Sequence, residues 1–484
     1  MRANEFHGTR LKPVAIIGGG ITGLTVAYRL REKGIPVTVY EASDHLGGVI
    51  RTVRRDGYLA ECGPNTILET SPKVVELVSD LGLDRRRLYS DPAAKNRYVI
   101  RDKRLINMPS SPFGFLTTRL FSPQAKLRLL AEPFISRALE EESVSQFVTR
   151  RLGHEFLDHA IDALVSGVYA GDPEKLSVPQ AFPRLHNLEQ RYGSLIKGQI
   201  FGARDRKRSG EVAKPNAPKF SFDEGLQVLT DTLYAKVCPE VRLISPVTKL
   251  EQIASGWLLT AESGGYQLEN EHSAVLYAGT AFRLAKIHID TERPINWSSF
   301  SEIYYPPVAS VVLGFRREDV AHPLDGFGML IPRLEGFNIL GTIFSSSLFP
   351  NRAPAGHVMV TSYLGGARAP ELASRTPEEL FELTRADLRL LLGVTGKPTF
   401  QHCTVLPKAI PQYDVGFGRF RTLMKEIEAK APGLFLAGHY RDGISLADSI
   451  VSAYDASERI GRFLASAVAG ANGTAIESLT LKAA

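Results

Sequence analysis

The sequence predicts an α/β protein with a parallel sheet at its base, a second region of mixed strands and a helical insertion. Three observations carry this. Near the N-terminus a β-branched run over 12–17 turns on Gly18-Gly19-Gly20 and continues with helical spacing over 21–33. Gly34-Ile35-Pro36 stops that helix, and a second strand follows over 37–40. Strand, crossover helix and parallel strand form the βαβ signal. Near the C-terminus, PGLFLAGHYRDGISLADSIVSAYDASERI over 432–460 repeats the strand, glycine turn and helix. Between these ends, paired strands are expected over 241–253 and 257–261, and a buried one over 274–278. The parallel-sheet domain is therefore expected to be discontinuous, with the other segments inserted into it.

Those insertions read differently from the sheet. Residues 112–165 are mostly helical in pattern, rich in Leu, Phe and Arg. Residues 203–219, ARDRKRSGEVAKPNAPK, are polar and breaker-rich, so a surface loop or disordered excursion is expected. Over 295–365 strands alternate with Gly/Pro turns, and 467–484 reads as a small-residue, flexible tail.

At 484 residues the chain exceeds one small domain; about three folding units is the expectation from length. A hydrophobic fraction of 44% with 23% charged residues belongs to a globular chain and argues against wholesale disorder. Three widely spaced cysteines, Cys62, Cys238 and Cys403, argue against a disulfide framework or a Cys-ligated metal, and a reducing, cytoplasmic compartment fits them. No metal site is expected. The first ten residues hold no apolar run, so no secretory signal is expected, and no stretch is apolar enough to predict a transmembrane helix. A net charge of +6 permits attraction to anionic lipid or an acidic small molecule. The basic residues are scattered, with no stacking platform, so nucleic acid is not expected as a partner.

Gly18-x-Gly20-x-x-Gly23 sits between strand and helix, the context a dinucleotide fingerprint requires. Gly18 permits the tight turn, Gly20 lets backbone approach a pyrophosphate, and Gly23 lets helix and strand pack closely. Ile21 and Thr22 begin the helix, whose unpaired N–H groups favour phosphate. Glu41, with Ala42 beside it, ends the second strand where an adenosine ribose is hydrogen-bonded, and its charge disfavours a 2′-phosphate and hence NADP. Gly47-Gly48 then makes a second close-approach loop, and Arg51 can reach the pyrophosphate from outside the fingerprint. Extra phosphate contacts suit a cofactor that stays bound, FAD rather than NAD.

This DHLGGVIRT tail resembles the GG-R-x-x-T extension of the FAD-dependent amine oxidase superfamily. Six separated stretches carry a narrower resemblance, to the protoporphyrinogen IX oxidase and coproporphyrinogen III oxidase family: ECGPNTI from Glu61, ESVSQFVTRRLG from Glu142, LVSGVYAGDPEKLSVPQAF from Leu164, LEQRYGSLIKG from Leu188, LGTIFSSSLFPNRAP from Leu340 and AIPQYDVGF from Ala409.

The resemblance implies a Rossmann-like, discontinuous FAD-binding domain over 1–90, 222–290 and 402–466. It also implies a mixed-sheet substrate-binding domain over 91–111, 186–221 and 291–401, and a helical, membrane-associated lobe over 112–185. FAD would be non-covalent, since no cysteine stands at the C-terminal turn, where Gly438, Gly443, Ile444, Ser445 and Leu446 match backbone facing the flavin O2 and N1. Gly63, Pro64, Asn65, Thr66 and Val247 join the implied cofactor contacts. Asn65 is the implied catalytic residue, by orientation or electrostatics, because an amide is no general base. Arg97 matches an arginine that pairs with a propionate, as its fork suits a carboxylate. Leu330, Ile343 and Tyr363 match apolar walls; relatives often carry leucine and phenylalanine at the last two. Gly167 matches a position lying against the macrocycle. His439, beside the flavin turn, reads as structural.

The implied activity is oxidation of protoporphyrinogen IX to protoporphyrin IX by six-electron removal, with oxygen as acceptor, in haem synthesis. Coproporphyrinogen III is the alternative substrate. A non-catalytic flavin scaffold, and an amine oxidase or carotenoid desaturase, are the readings from other classes. Peripheral membrane contact is expected through Phe113, Phe115, Leu116, Leu120 and Phe121 with Arg119, Lys126 and Arg128; a helical cap whose apolar face lines the substrate tunnel is the alternative, and the reading admits a homodimer.

Overall fold

Hydrophobic β-branched segments with little polar alternation belong inside parallel sheets, and they form one here. A computed structural model describes residues 11–209 and 217–481, with side chains outside 203–209 and 468–481. Five parallel strands stand in the order Val241–Arg242, Val37–Tyr40, Val14–Ile17, Val275–Tyr277, Leu434–Leu436. The first strand of the chain is central, and the sheet draws its strands from both ends and the middle of the sequence. The helices Ile21–Glu32 and Leu446–Leu481 pack together over one face, sharing a core of Leu24, Ala27, Ala447 and Ile450.

The run expected over 241–253 is broken. Val241–Arg242 ends in the parallel sheet, Ile244 takes a positive φ of 50°, and Val247–Ile253 restarts antiparallel to Gly256–Ser263. Pro246 removes a donor at the restart, which explains why one apolar run serves two sheets.

A seven-stranded sheet runs Phe400–Leu406, Val308–Arg316, His357–Gly365, Ile339–Ile343, Gly326–Leu330, Asn96–Arg101, Arg104–Asn107. The helix Pro377–Leu392 covers one face, placing Leu380, Leu388 and Leu391 against Val311, Met329 and Ile100. The strand Lys219–Phe222 pairs with Ile67–Leu68 and Arg87–Tyr89. The domain limits expected at 222 and 402 thus fall inside strands.

Residues 112–185 are largely helical, as expected. Serine N-caps start Pro112–Thr117, Pro123–Arg128 and Val144–Arg151. Their interior holds an ion network: Arg151 is wholly buried between Glu132 at 2.9 Å and Glu189 at 2.5 Å. The loop expected over 203–219 is corrected at its start, because the helix Leu195–Ser209 runs into it; residues 210–216 lie outside the described residues. In the tail, the backbone helix continues to Leu481, and 482–484 lie outside the described residues.

Candidate active site

Three glycine turns meet at the carboxyl ends of the parallel strands. Gly18 N donates to the Tyr40 carbonyl at 2.8 Å and Gly47 N to the Gly19 carbonyl at 2.8 Å, so the two loops touch backbone to backbone. A Cβ on Gly23 would stand 1.9 Å from the Gly18 oxygen, and one on Gly63 2.4 Å from the Val49 oxygen. A Cβ on Gly20 would meet nothing within 4 Å. Helix and strand are therefore closed on each other at Gly23, while the backbone at Gly20 faces open space.

Glu41 is fixed at the rim of this cradle. Its Oε2 accepts from Gly19 N at 2.7 Å, and its Oε1 from Ser43 N at 2.8 Å and Ser43 Oγ at 2.7 Å. Oε2, with one bond, keeps lone-pair capacity for a ribose hydroxyl. The Glu41 carbonyl accepts from Ser245 N at 2.8 Å, which brings the neighbouring Val247 to the same rim. Arg51 is exposed just beyond Gly47-Gly48, with Ala42 half-buried. At the other end of the chain, Gly438 N donates to Ser452 Oγ at 3.0 Å, and Gly443 N to Tyr413 Oη at 3.0 Å. Thr22 Oγ1 donates to the Ser449 carbonyl at 3.4 Å, joining the first helix to the last. Ile444, Ser445 and Leu446 are half-buried beside this turn. Burial lowers the His439 imidazole to about 4, so it is neutral, in keeping with a structural role.

The wall residues fall into register. Arg97 pairs with Gly328, Gly328 with Ile343, Leu330 with Gly341, and Gly341 with Tyr363. Cross-strand partners and alternate residues share a face, so Arg97, Leu330, Ile343 and Tyr363 lie on one face, opposite the helix Pro377–Leu392. The helix Asp162–Tyr169 crosses that face: a Cβ on Gly167 would meet Leu330 Cδ2 at 2.3 Å. Arg368 fastens the crossing, donating to Asp162 Oδ2 at 2.9 Å and Ser166 Oγ at 2.8 Å.

Asn65 joins the two halves. It lies in the Gly63-Pro64-Asn65-Thr66 turn, half-buried, and its Nδ2 donates to Tyr363 Oη at 2.6 Å. Burial, then the nearby Glu61 charge, pushes the Tyr363 phenol up, so it stays protonated.

Below this turn the sequence reading missed a buried pair. Glu61 and Arg352 are each 2% exposed and 3.4 Å apart. Glu61 also accepts from Thr52 Oγ1 at 2.7 Å and Leu226 N at 2.9 Å, and Arg352 donates to Ser221 Oγ at 2.6 Å. Burial pushes the Glu61 carboxyl up, opposed by the Arg352 guanidinium. Both residues sit inside stretches singled out for resemblance, ECGPNTI and FPNRAP, and charged residues in otherwise apolar motifs were the available signal. Among the described residues no group could hold a metal ion, and the three cysteines are free.

A glycine cradle at the switch point of a parallel sheet, bridged by Asn65 to the sheet face that carries Leu330, Ile343 and Tyr363, defines an enzyme that keeps a dinucleotide cofactor against an organic substrate. The chain belongs to the flavin-containing amine oxidoreductase family, whose model matches residues 21–461. Its cofactor is FAD and it is an oxidoreductase. It is similar to protoporphyrinogen oxidase 2, chloroplastic/mitochondrial, of Arabidopsis thaliana, 36% identical over 94% of this chain and 95% of the relative. It is also similar to coproporphyrinogen III oxidase of Bacillus subtilis, 30% identical over 91% of this chain and 96% of the relative. The fold is that of cyclohexylamine oxidase from Brevibacterium oxydans, with a TM-score of 0.66 at 17% identity, covering 94% of this chain and all of that one.

Proposed function

We propose that the chain oxidises protoporphyrinogen IX to protoporphyrin IX in haem synthesis, with oxygen as the electron acceptor. The names of the similar proteins support a porphyrinogen substrate. The observation that carries the site is the common face of Arg97, Leu330, Ile343 and Tyr363, reached by Asn65 from the cofactor half.

In this reading Gly18, Gly20, Ile21, Thr22, Gly23, Gly47, Gly48 and Arg51 hold the FAD pyrophosphate. Glu41, Ala42 and Val247 hold the adenosine end. Gly63, Pro64, Asn65, Thr66, Gly438, Ile444, Ser445 and Leu446 surround the flavin ring. Bound there, FAD would supply the hydride acceptor; the chain's residues supply position and a water-poor surround. Arg97 holds a propionate, Leu330, Ile343 and Tyr363 wall the macrocycle, and Gly167 leaves room for it. The division into cofactor, substrate and helical units belongs to the same reading.

The decisive experiment compares porphyrin fluorescence growth on protoporphyrinogen IX and coproporphyrinogen III with the flavin-loaded protein. Faster turnover of the first is expected. Exclusive turnover of the second moves the assignment to coproporphyrin III formation, which the Bacillus subtilis relative favours; turnover of neither overturns both.

Among the described residues no helix is long and apolar enough to cross a membrane. Peripheral attachment of a cytoplasmic chain is part of the proposal, supported by a revised surface. Of the residues expected to face lipid, Leu120 and Phe121 are buried, and Phe115 stacks against Phe156. Phe113 and Leu116 remain exposed, with Leu127, Leu130 and Phe134 beside them in sequence. Apolar side chains standing in water on short helices suit an interfacial contact.

A further inference from the structure

The Asn65 amide has one orientation that its neighbours allow. Its Nδ2 lies 3.2 Å from the Gly63 carbonyl oxygen, which can only accept. Turning the amide over would set two oxygens against each other, so the nitrogen belongs on that side. The same nitrogen lies 2.6 Å from Tyr363 Oη, which therefore accepts. Both amide protons are committed, and Oδ1 bonds to none of the described residues while Asn65 is half-buried.

We propose that Tyr363 is a positioning residue that locks the Asn65 amide with Oδ1 turned to the substrate, as an acceptor for a pyrrole N–H. This rests on the reading of Asn65 as lying beside the flavin and the macrocycle. The chemistry of the substrate asks for that orientation. A porphyrinogen carries an N–H on every pyrrole and no acceptor nitrogen, so an amide offering NH2 would set donor against donor. Gly63 alone anchors one amide proton weakly; the short phenol contact anchors the other. A phenylalanine at 363 keeps the apolar wall and loses the lock, so the hydroxyl has a role that stacking does not explain.

A double-mutant cycle tests the lock, using flavin-loaded wild type, Tyr363→Phe, Asn65→Ala and the double variant. Kinetics are read on protoporphyrinogen IX, with flavin content and melting temperature measured alongside. Tyr363→Phe is expected to lower kcat/KM roughly tenfold, the scale of one positioning hydrogen bond. It should do so with flavin content and melting unchanged, and should add no further loss in the Asn65→Ala background. The same factor in both backgrounds, or a silent Tyr363→Phe in an Asn65-dependent enzyme, overturns the lock alone. An Asn65→Ala variant as active as wild type overturns the underlying placement of Asn65.

Discussion

The Asn65 amide and the Tyr363 hydroxyl meet at 2.6 Å, and this contact spans the cofactor cradle and the seven-stranded sheet. It is a polar bridge on the face that also carries Ile343 and Leu330 in register. On the proposed placement of cofactor and substrate, a short hydrogen bond across the seam would hold the two halves at one separation.

Gly20 and Gly23 should respond oppositely to the same methyl group. Gly23→Ala drives a carbon to 1.9 Å from the Gly18 oxygen, overpacking backbone that cannot yield. A loss of about 3 kcal/mol is expected in the apoprotein, read by denaturant unfolding. Gly20→Ala meets open space, so apoprotein stability should hold while FAD, followed by flavin fluorescence, binds more weakly. Equal stability of the two apoproteins would refute the assignment of Gly20 to the open side.

Breaking the Glu61–Arg352 pair on one side leaves a charge stranded in a site 2% exposed. Arg352→Leu should cost about 3–5 kcal/mol. Pairing it with Glu61→Leu should recover much of that loss, because the desolvated partner is removed too. Denaturant midpoints of the three proteins decide it; additive losses would contradict a coupled pair.

His272 predicts a particular acid response. Its Nδ1 donates to the Pro13 carbonyl at 3.0 Å, so Nε2 accepts from Tyr40 Oη at 3.0 Å. Burial lowers its pKa from 6.5 to about 4. Between those values the unfolded chain binds a proton that the folded chain refuses, so stability falls as pH drops through that window. The full loss from this residue is about 3 kcal/mol. Melting temperature should decline from pH 6.5 toward 4, and His272→Gln should decline less steeply. An identical slope would refute the assignment.

Gly167→Ala tests the same sheet face from the crossing helix. The added carbon would lie 2.3 Å from Leu330 Cδ2, the flexible end of a side chain, so Leu330 rather than backbone has to shift. The fold should survive, KM for the porphyrinogen should rise several-fold, and flavin content should stay constant. An unchanged KM would remove Gly167 and Leu330 from the proposed wall.

Much of the parallel-sheet unit is legible in the sequence. The Gly18 turn, the helix after it and the strand at 37–40 fall where local sequence puts them, because βαβ units are built from short-range signals. The register that sets Arg97, Ile343 and Tyr363 on one face depends on strand pairing between distant segments, and no spacing along the chain encodes it. The membrane-facing set failed at Leu120 and Phe121 for a related reason: an apolar residue on a short helix looks the same from sequence whether it meets lipid or a core. Glu61 and Arg352 were hidden because each finds its partner nearly three hundred residues away.

The interleaved parallel sheet has a consequence for biogenesis. Its edge strand, Leu434–Leu436, and the turn at Gly438 are translated after almost everything else, and that strand closes the sheet against Val275–Tyr277, which in turn pairs with the first strand, Val14–Ile17. A nascent chain on the ribosome therefore carries Gly18, Gly20 and Glu41 without the carboxyl-terminal turn, and on the proposed assignment of Gly438 to Leu446 to the flavin, full FAD capture waits until that stretch has emerged. Truncation before Leu434 should thus yield colourless protein even where every proposed amino-terminal nucleotide contact is intact.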